Sequence, residues 1–220
     1  MFLNFHTHHA IEKDSRAIQN VYNHFERISN VGKYSIGLHS WYLKEETWKA
    51  EMVTLKECSI NKSVLAIGEC GLDKVCKSDF TLQQVAFAEQ IIWANLINKP
   101  LIIHCVRAWE EVFYLLKKSD NQMPVIFHGF TGKLTLAQQI IDKGYYLSFG
   151  RALLHNRYQQ LLATLPLNRV FFETDDFDIS IETIYQTAAT ALQIDINSLS
   201  LQINTNATDI FGVNFLEEYD

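Results

Sequence analysis

Eight histidines are spread unevenly over the 220 residues, and three of them crowd into "FHTHH" at residues 5–9. The apolar run Met1–Phe5 predicts a strand, on which residues two apart share a face. His6 and His8 therefore pair, whereas His9 points the other way. Further candidates recur along the chain: His39, Glu69, His104, His128, Glu173 and Asp175 each follow a short apolar run. Imidazole and carboxylate together, without thiolate, suit zinc, manganese, nickel or iron, and magnesium where carboxylates and water dominate. His6, His8, Glu69, His104, His128 and Asp175 are too many ligands for a single tetrahedral ion that keeps an open position. Two divalent metal ions are expected, a pair able to activate water and to stabilise the attacking and leaving oxygens of a phosphodiester.

The elements that must position these groups follow a rhythm of apolar runs and longer amphipathic stretches. Strands are predicted at Met1–Phe5, Tyr34–Leu38, Val64–Gly68, Pro100–Ile103, Pro124–Phe127, Tyr145–Phe149 and Arg169–Phe172. Helices are predicted at Ser15–Ser29, Glu45–Cys58, Leu82–Ile97, Ala108–Lys118, Leu134–Lys143 and Asn156–Leu165. Alternation of this kind implies a parallel sheet covered by helices, here an α/β fold of the TIM-type (β/α) barrel class, distorted, with seven strands and an eighth left open. A doubly wound sheet would carry a glycine-rich phosphate turn after the first strand, where His-Thr-His stands instead. From about Ile179 onward the pattern is helical, with no strand. In a parallel barrel the strand ends that carry the chemical residues gather on the face where such barrels keep their active sites.

Other residues have plainer readings. His24 and His155 are surface positions, Gly129 and Gly132 serve turns, Phe130 packs in the core or over the site, Asn206 caps a helix start, and Glu173 supports the rim by hydrogen bonding. The length and 48% hydrophobic content fit one domain over 1–220. No apolar stretch is long enough to span a membrane and no leader-like pattern opens the chain, which predicts a cytoplasmic protein with no membrane partner. Nothing in the sequence calls for an obligatory protein partner. The net charge of -6 argues against coating duplex nucleic acid through a basic face, although metal ions can still hold a single phosphodiester. Cys58, Cys70, Cys76 and Cys105 match neither a zinc ribbon nor a disulfide framework and are read as reduced, mostly buried thiols.

The motifs "FHTHH" (5–9), "IGLHSWY" (36–42), "AIGECGLD" (66–73), "QVAFAEQIIWA" (84–94), "KPLIIHCVRAW" (99–109), "VIFHGFTGK" (125–133), "GYYLSFG" (144–150) and "RVFFETD" (169–175) together resemble the TatD-type metal-dependent hydrolases. The resemblance implies a binuclear site in which His6, His8 and Asp175 hold one ion, His104 and His128 the other, and Glu69 bridges both. It also implies that Asp175 orients or deprotonates the attacking water, and that His39 and Arg107 bind or position the scissile phosphate. The expected substrate is single-stranded DNA or a small phosphodiester, cleaved by a deoxyribonuclease. An ester or amide hydrolase acting on a small molecule or an aminoacyl ester, and a non-catalytic domain braced by metal, are the alternatives.

The chain departs from the family pattern in places. Ser40 and Trp41 follow His39 where the family has proline, Val106 replaces an arginine with Arg107 one residue later, and "DFD" follows the ETD triplet. The loop after "GECGLD" is short, Lys74–Asp79. Asp73 is read as a loop or supporting residue rather than a catalytic one.

Overall fold

A computed structural model describes residues 1–9, 16–30 and 32–212. Among these, the strands are β1 (Leu3–Thr7), β2 (Arg16–Val21), β3 (Tyr34–Ile36), β4 (Val64–Asp73), β5 (Leu101–Val106), β6 (Val125–Phe127), β7 (Tyr146–Phe149) and β8 (Val170–Phe172). The helices are α1 (Trp48–Ser59), α2 (Phe80–Ile97), α3 (Trp109–Lys118), α4 (Leu134–Asp142), α5 (Asn156–Leu162), α6 (Ile181–Leu192) and α7 (Ile196–Phe211). The strands form one eight-stranded sheet in chain order, β1 to β8. A parallel bridge between Thr7 and Asp175 brings the end of β8 back to β1. Parallel strands in sequence order, with the last returning to the first, are the topology of the TIM-type barrel.

The eighth strand is β2, which corrects the predicted helix over Ser15–Ser29; Ser15 itself lies outside the described residues. Ala17, Val21, Phe25 and Ile28 recur at helical spacing, which mimics an amphipathic face. Pairing with β1, at Leu3–Arg16, Asn4–Ala17 and Thr7–Gln19, prevails over that pattern, as context commonly does over short-range propensity. Only a 3-10 turn at Phe25–Arg27 remains helical. The C-terminal region is helical as expected, in α6 and α7.

The chain packs as two compact units, Met1–Gln19 with Ile126 onward, and Asn20–Val125. In the first, Phe5 stacks on Phe171 with ring centroids 4.2 Å apart, and the buried Tyr185 hydroxyl donates to the Leu3 carbonyl at 3.0 Å. Asn206, expected to cap a helix start, instead lies inside α7, fully buried. Its amide donates to the carbonyls of Leu167 (2.7 Å) and Val170 (2.9 Å) and so ties α7 to the start of β8. Phe130 is buried against Phe149, the core role read from the sequence.

In the second unit, α2 presents Ala86, Phe87, Ile91 and Ala94 to the interior and buries two glutamines two turns apart. Gln90 accepts the Leu38 N–H at 2.8 Å and donates back to the Leu38 carbonyl, while Gln83 does the same for Asp73, at 2.8 and 3.1 Å. Backbone groups that leave the sheet at these points thus find partners away from water, which a buried loop requires. The brief loop after β4 ends at Asp79, whose carboxylate caps α2 through Leu82 N–H.

Candidate metal centre

The first unit gathers His6, His8 and Asp175. His6 is the penultimate residue of β1, His8 follows the strand, and Asp175 lies just beyond β8. Backbone bonds stitch the two segments: Asp175 N–H donates to the His6 carbonyl and His8 N–H to the Asp175 carbonyl, each at 3.0 Å. The Asn4 side chain adds two more, donating to Thr174 Oγ1 (2.8 Å) and accepting Thr174 N–H (3.0 Å). Asp175 adopts the left-handed conformation, φ 56°, uncommon for a residue with a side chain. Its Oδ1 lies 3.3 Å from His8 Nε2 and 3.7 Å from His6 Nε2. His6 is fully buried, whereas His8 and Asp175 are partly open to solvent. His9 is exposed, consistent with a bystander.

His128, directly after β6, stands in the same unit with its ring 4.4 Å from that of His6. Its Nδ1 is 3.6 Å from Glu173 Oε1, and that oxygen accepts the Gly129 N–H at 2.6 Å. Glu173 is fully buried and so supports the rim by hydrogen bonding, as its sequence position implied.

The second unit gathers His39, Glu69 and His104. Glu69 Oε1 is 2.9 Å from His39 Nε2 and 2.9 Å from His104 Nδ1. Trp41 N–H donates to His39 Nδ1 at 3.1 Å, which assigns the His39 proton to Nε2 and makes it a donor to Glu69. Asn20 on β2 holds the other side of Glu69. Its Oδ1 accepts the Glu69 N–H at 2.8 Å, and its Nδ2 donates to Glu69 Oε2 at 3.3 Å. Asp73 Oδ2 lies 3.2 Å from His104 Nε2. Burial works against the Asp73 carboxylate, but donors from the Trp41 indole, Val75 N–H and His104 outweigh it and hold the carboxyl below its ordinary value.

Glu69 and His104 do not follow strands, as the sequence pattern implied, but lie inside β4 and β5, which run farther than the glycine punctuation indicated. A register shift between Ile67 and Cys70 lets β4 continue. Gly71, at φ 134°, then pairs with His104, where any Cβ would run into the His104 carbonyl oxygen. Arg107 is exposed in a left-handed conformation just after β5. Asn20, Gln83 and Gln90 escaped the sequence reading; Asn20 was hidden inside the mistaken helix.

Each triad offers ligand atoms that all lie within 4.8 Å of one another. Imidazole nitrogen and carboxylate oxygen in that arrangement fit a borderline divalent ion. All four cysteines are free, one buried and three partly exposed. Burial and the Glu69 charge push the Cys70 thiol far above its usual range, and burial pushes Cys105 up to about 12, so neither supplies a thiolate.

A family model described as TatD-related DNase matches residues 5–212. The chain belongs to this family. It is 32% identical over 174 residues to an uncharacterised metal-dependent hydrolase of Buchnera aphidicola subsp. Acyrthosiphon pisum, covering 73% of this chain and 66% of the relative. With a hydrolase of another Buchnera aphidicola strain, subsp. Baizongia pistaciae, the match spans only 54% of the relative's length. It is 26% identical over 201 residues to the 3'-5' ssDNA/RNA exonuclease TatD of Pantoea ananatis, covering 80% and 76% of the two chains. The crystal structure of YjjV, a TatD homologue from Escherichia coli, superposes with a TM-score of 0.77 at 21% identity, over 90% of this chain and 86% of that one. That likeness shows the fold, the TIM-type α/β barrel of eight parallel strands. No helix among the described residues is long and apolar enough to cross a membrane.

Proposed function

We propose that this chain is a metal-dependent hydrolase that cleaves phosphodiester bonds, acting as a deoxyribonuclease on single-stranded ends or small fragments. The observation that carries the reading is the His6, His8 and Asp175 triad, whose side chains converge because the backbone of β1 and of residues 174–175 is bonded together. His6, His8 and Asp175 are the ligands of one divalent ion; Glu69 and His104 serve a second. The bridging part of Glu69 and the place of His128 on the second ion are carried into this proposal from the family resemblance. Divalent ions held there would supply positive charge to the phosphate and acidify a water. Asp175, partly open to solvent, accepts the proton of the attacking water, a role that needs a carboxylate within hydrogen-bond reach. His39 and Arg107 orient the phosphate, His39 by turning its single N–H, on Nε2, from Glu69 to a phosphate oxygen. The similarity to an exonuclease acting on ssDNA and RNA supports this choice of substrate.

The test is elemental analysis of tag-free protein beside a His6→Ala, His8→Ala double variant, with cleavage of a short single-stranded DNA after metal reconstitution. About two ions per chain falling to one, with cleavage lost, is the expected result. Undiminished metal and hydrolysis in Glu69→Ala and Asp175→Asn proteins would remove the site. Two ions without DNA cleavage, but with turnover of acyl esters, would move the reaction to carbonyl substrates.

A further inference from the structure

A cavity of about 460 Å³ opens beside Asp175 in the first unit, lined by Arg151, His155, Arg157, Tyr158 and Phe177 among others. It shares Thr131, Arg157 and Tyr158 with a neighbouring cavity of about 570 Å³ whose wall includes Lys133. The two adjoin at these residues, one lined by Asp175 and the other by Lys133, and are treated together as one groove. The stretch "RALLHNR" at residues 151–157 carries two arginines and a histidine with no carboxylate, in a chain whose net charge is -6. Neither arginine has a carboxylate partner among the described residues. Each guanidinium instead lies on an aromatic face: Arg151 is 3.8 Å above the Phe177 ring, and Arg157 is 4.3 Å from the Tyr158 ring while donating to its hydroxyl. Tyr158 is anchored in turn by donation to the Thr131 carbonyl at 2.8 Å. Lys133, exposed at the start of α4, likewise has no carboxylate partner among the described residues.

Arginines usually find carboxylates in an acidic protein. Here they are instead held flat on aromatic rings, an arrangement that limits side-chain motion and leaves donor edges available for phosphate oxygens. We propose that this groove is the track for phosphates flanking the scissile bond of a single strand, with Arg151 and Arg157 on the phosphates nearest Asp175 and Lys133 farther out. Phe177 and Tyr158 set the arginines. The inference rests on the reading of Asp175 as part of a phosphodiesterase site and extends it by naming what recognises the rest of the substrate. Charge complementarity and the line of cations favour a polyanion over a compact ester.

The experiment uses the full chain with two readouts. Anisotropy of a fluorescein-labelled oligothymidylate, with the protein kept in chelator, reports binding without turnover. The ratio of kcat/KM for the same oligonucleotide to kcat/KM for bis-p-nitrophenyl phosphate, with metal restored, reports recognition beyond the reacting bond. Arg151→Gln, Arg157→Gln double substitution is expected to weaken oligonucleotide binding about tenfold or more. It should also lower the log–log salt slope by about 1.4, since each single-strand phosphate contact contributes about 0.7, and cut the kcat/KM ratio about tenfold. The Arg151→Lys, Arg157→Lys protein, which keeps the charges, should recover most of the slope. Cleavage of both substrates by wild type with an unchanged ratio and slope in the Gln variant would overturn the track and leave the hydrolase reading standing. Binding lost in the Gln variant, in a protein that turns over neither substrate, would support the track and sink the hydrolase reading.

Discussion

The indole Nε1 of Trp41 donates to Asp73 Oδ2 at 2.6 Å, and the same carboxylate oxygen lies 3.2 Å from His104 Nε2. Trp41 is more than half exposed, so its position owes more to this bond than to burial. A largely exposed tryptophan thus fixes a carboxylate, which fixes the imidazole whose other nitrogen faces Glu69. Ser40 and Trp41, a departure from the family pattern, bring this group into the site.

Carboxylates that orient a metal-binding imidazole typically account for about 10–100-fold in affinity or activity. Asp73→Asn is therefore expected to weaken metal binding by about that range, because the amide no longer favours the proton on His104 Nε2. Trp41→Phe should cost less, about tenfold, since Val75 N–H still holds the other Asp73 oxygen. Metal titration of both variants checks the order; a larger loss in Trp41→Phe would show that the indole acts on the site by a route other than Asp73.

Asn20 makes three buried hydrogen bonds, to Glu69 N–H, to Glu69 Oε2 and from Ser35 Oγ at 3.2 Å. Asn20→Ala removes all three and leaves a buried backbone donor and a carboxylate oxygen short of partners, at about 1–3 kcal/mol. In a domain of this size that is a fall of about 2–10 °C in Tm. Thermal melting measures it, and activity should fall further than stability, because Glu69 loses the group that sets its orientation. Asn20→Asp, which keeps the acceptor but faces Glu69 with a like charge, is expected to be worse than Ala for metal binding.

Much of the fold is legible because parallel strands are buried on both faces and read as continuous apolar runs; "VIF" and "VFF" announce β6 and β8 without help from neighbours. His6 and His8 are legible for a different reason, the period-2 geometry of β1. The same logic fails at β2, where a coincidental helical spacing competes with pairing that only the folded chain supplies. It fails again at β4, where glycine reads locally as a stop but is needed for the close approach of β5. Asn20, Gln83 and Gln90 belong to no chemical motif, and their roles depend on buried backbone groups far away in sequence. "RALLHNR" was passed over because the helical pattern around it put His155 on the surface, where it does lie, with no sign that the surface is a groove.

Removal of metal should lower stability by mass action. An ion present at about a hundred times its Kd stabilises the folded chain by about 2.7 kcal/mol, so chelation is expected to lower Tm by about 5–10 °C. His8→Ala breaks only the first triad and should retain part of this response, whereas a protein with both His8→Ala and Glu69→Ala should retain none. Scanning calorimetry with and without manganese or zinc checks this. A full response in the double variant would mean that the ions bind elsewhere.

Lys99 precedes Pro100 and β5, and its ammonium donates to the carbonyls of Ser59, Asn61 and Val64, tying the end of α1 to the start of β4. Lys99→Met leaves three carbonyls without this donor and is expected to cost about 1–3 kcal/mol. Burial pulls the Lys99 pKa down from 10.5 to about 8, which gives this cost a pH dependence. Below pH 8 the lysine is protonated in both the folded and unfolded chain, so its contribution is constant there. Between about 8 and 10.5 the unfolded chain binds more protons than the folded one, and stability rises with pH. The Tm difference between wild type and Lys99→Met should therefore widen as pH climbs through that window. Every other titrating group is common to both proteins and cancels. A difference that stays flat from pH 8 to about 10 and narrows only above about 10.5 would show that the carbonyl contacts outweigh burial and hold the ammonium charged.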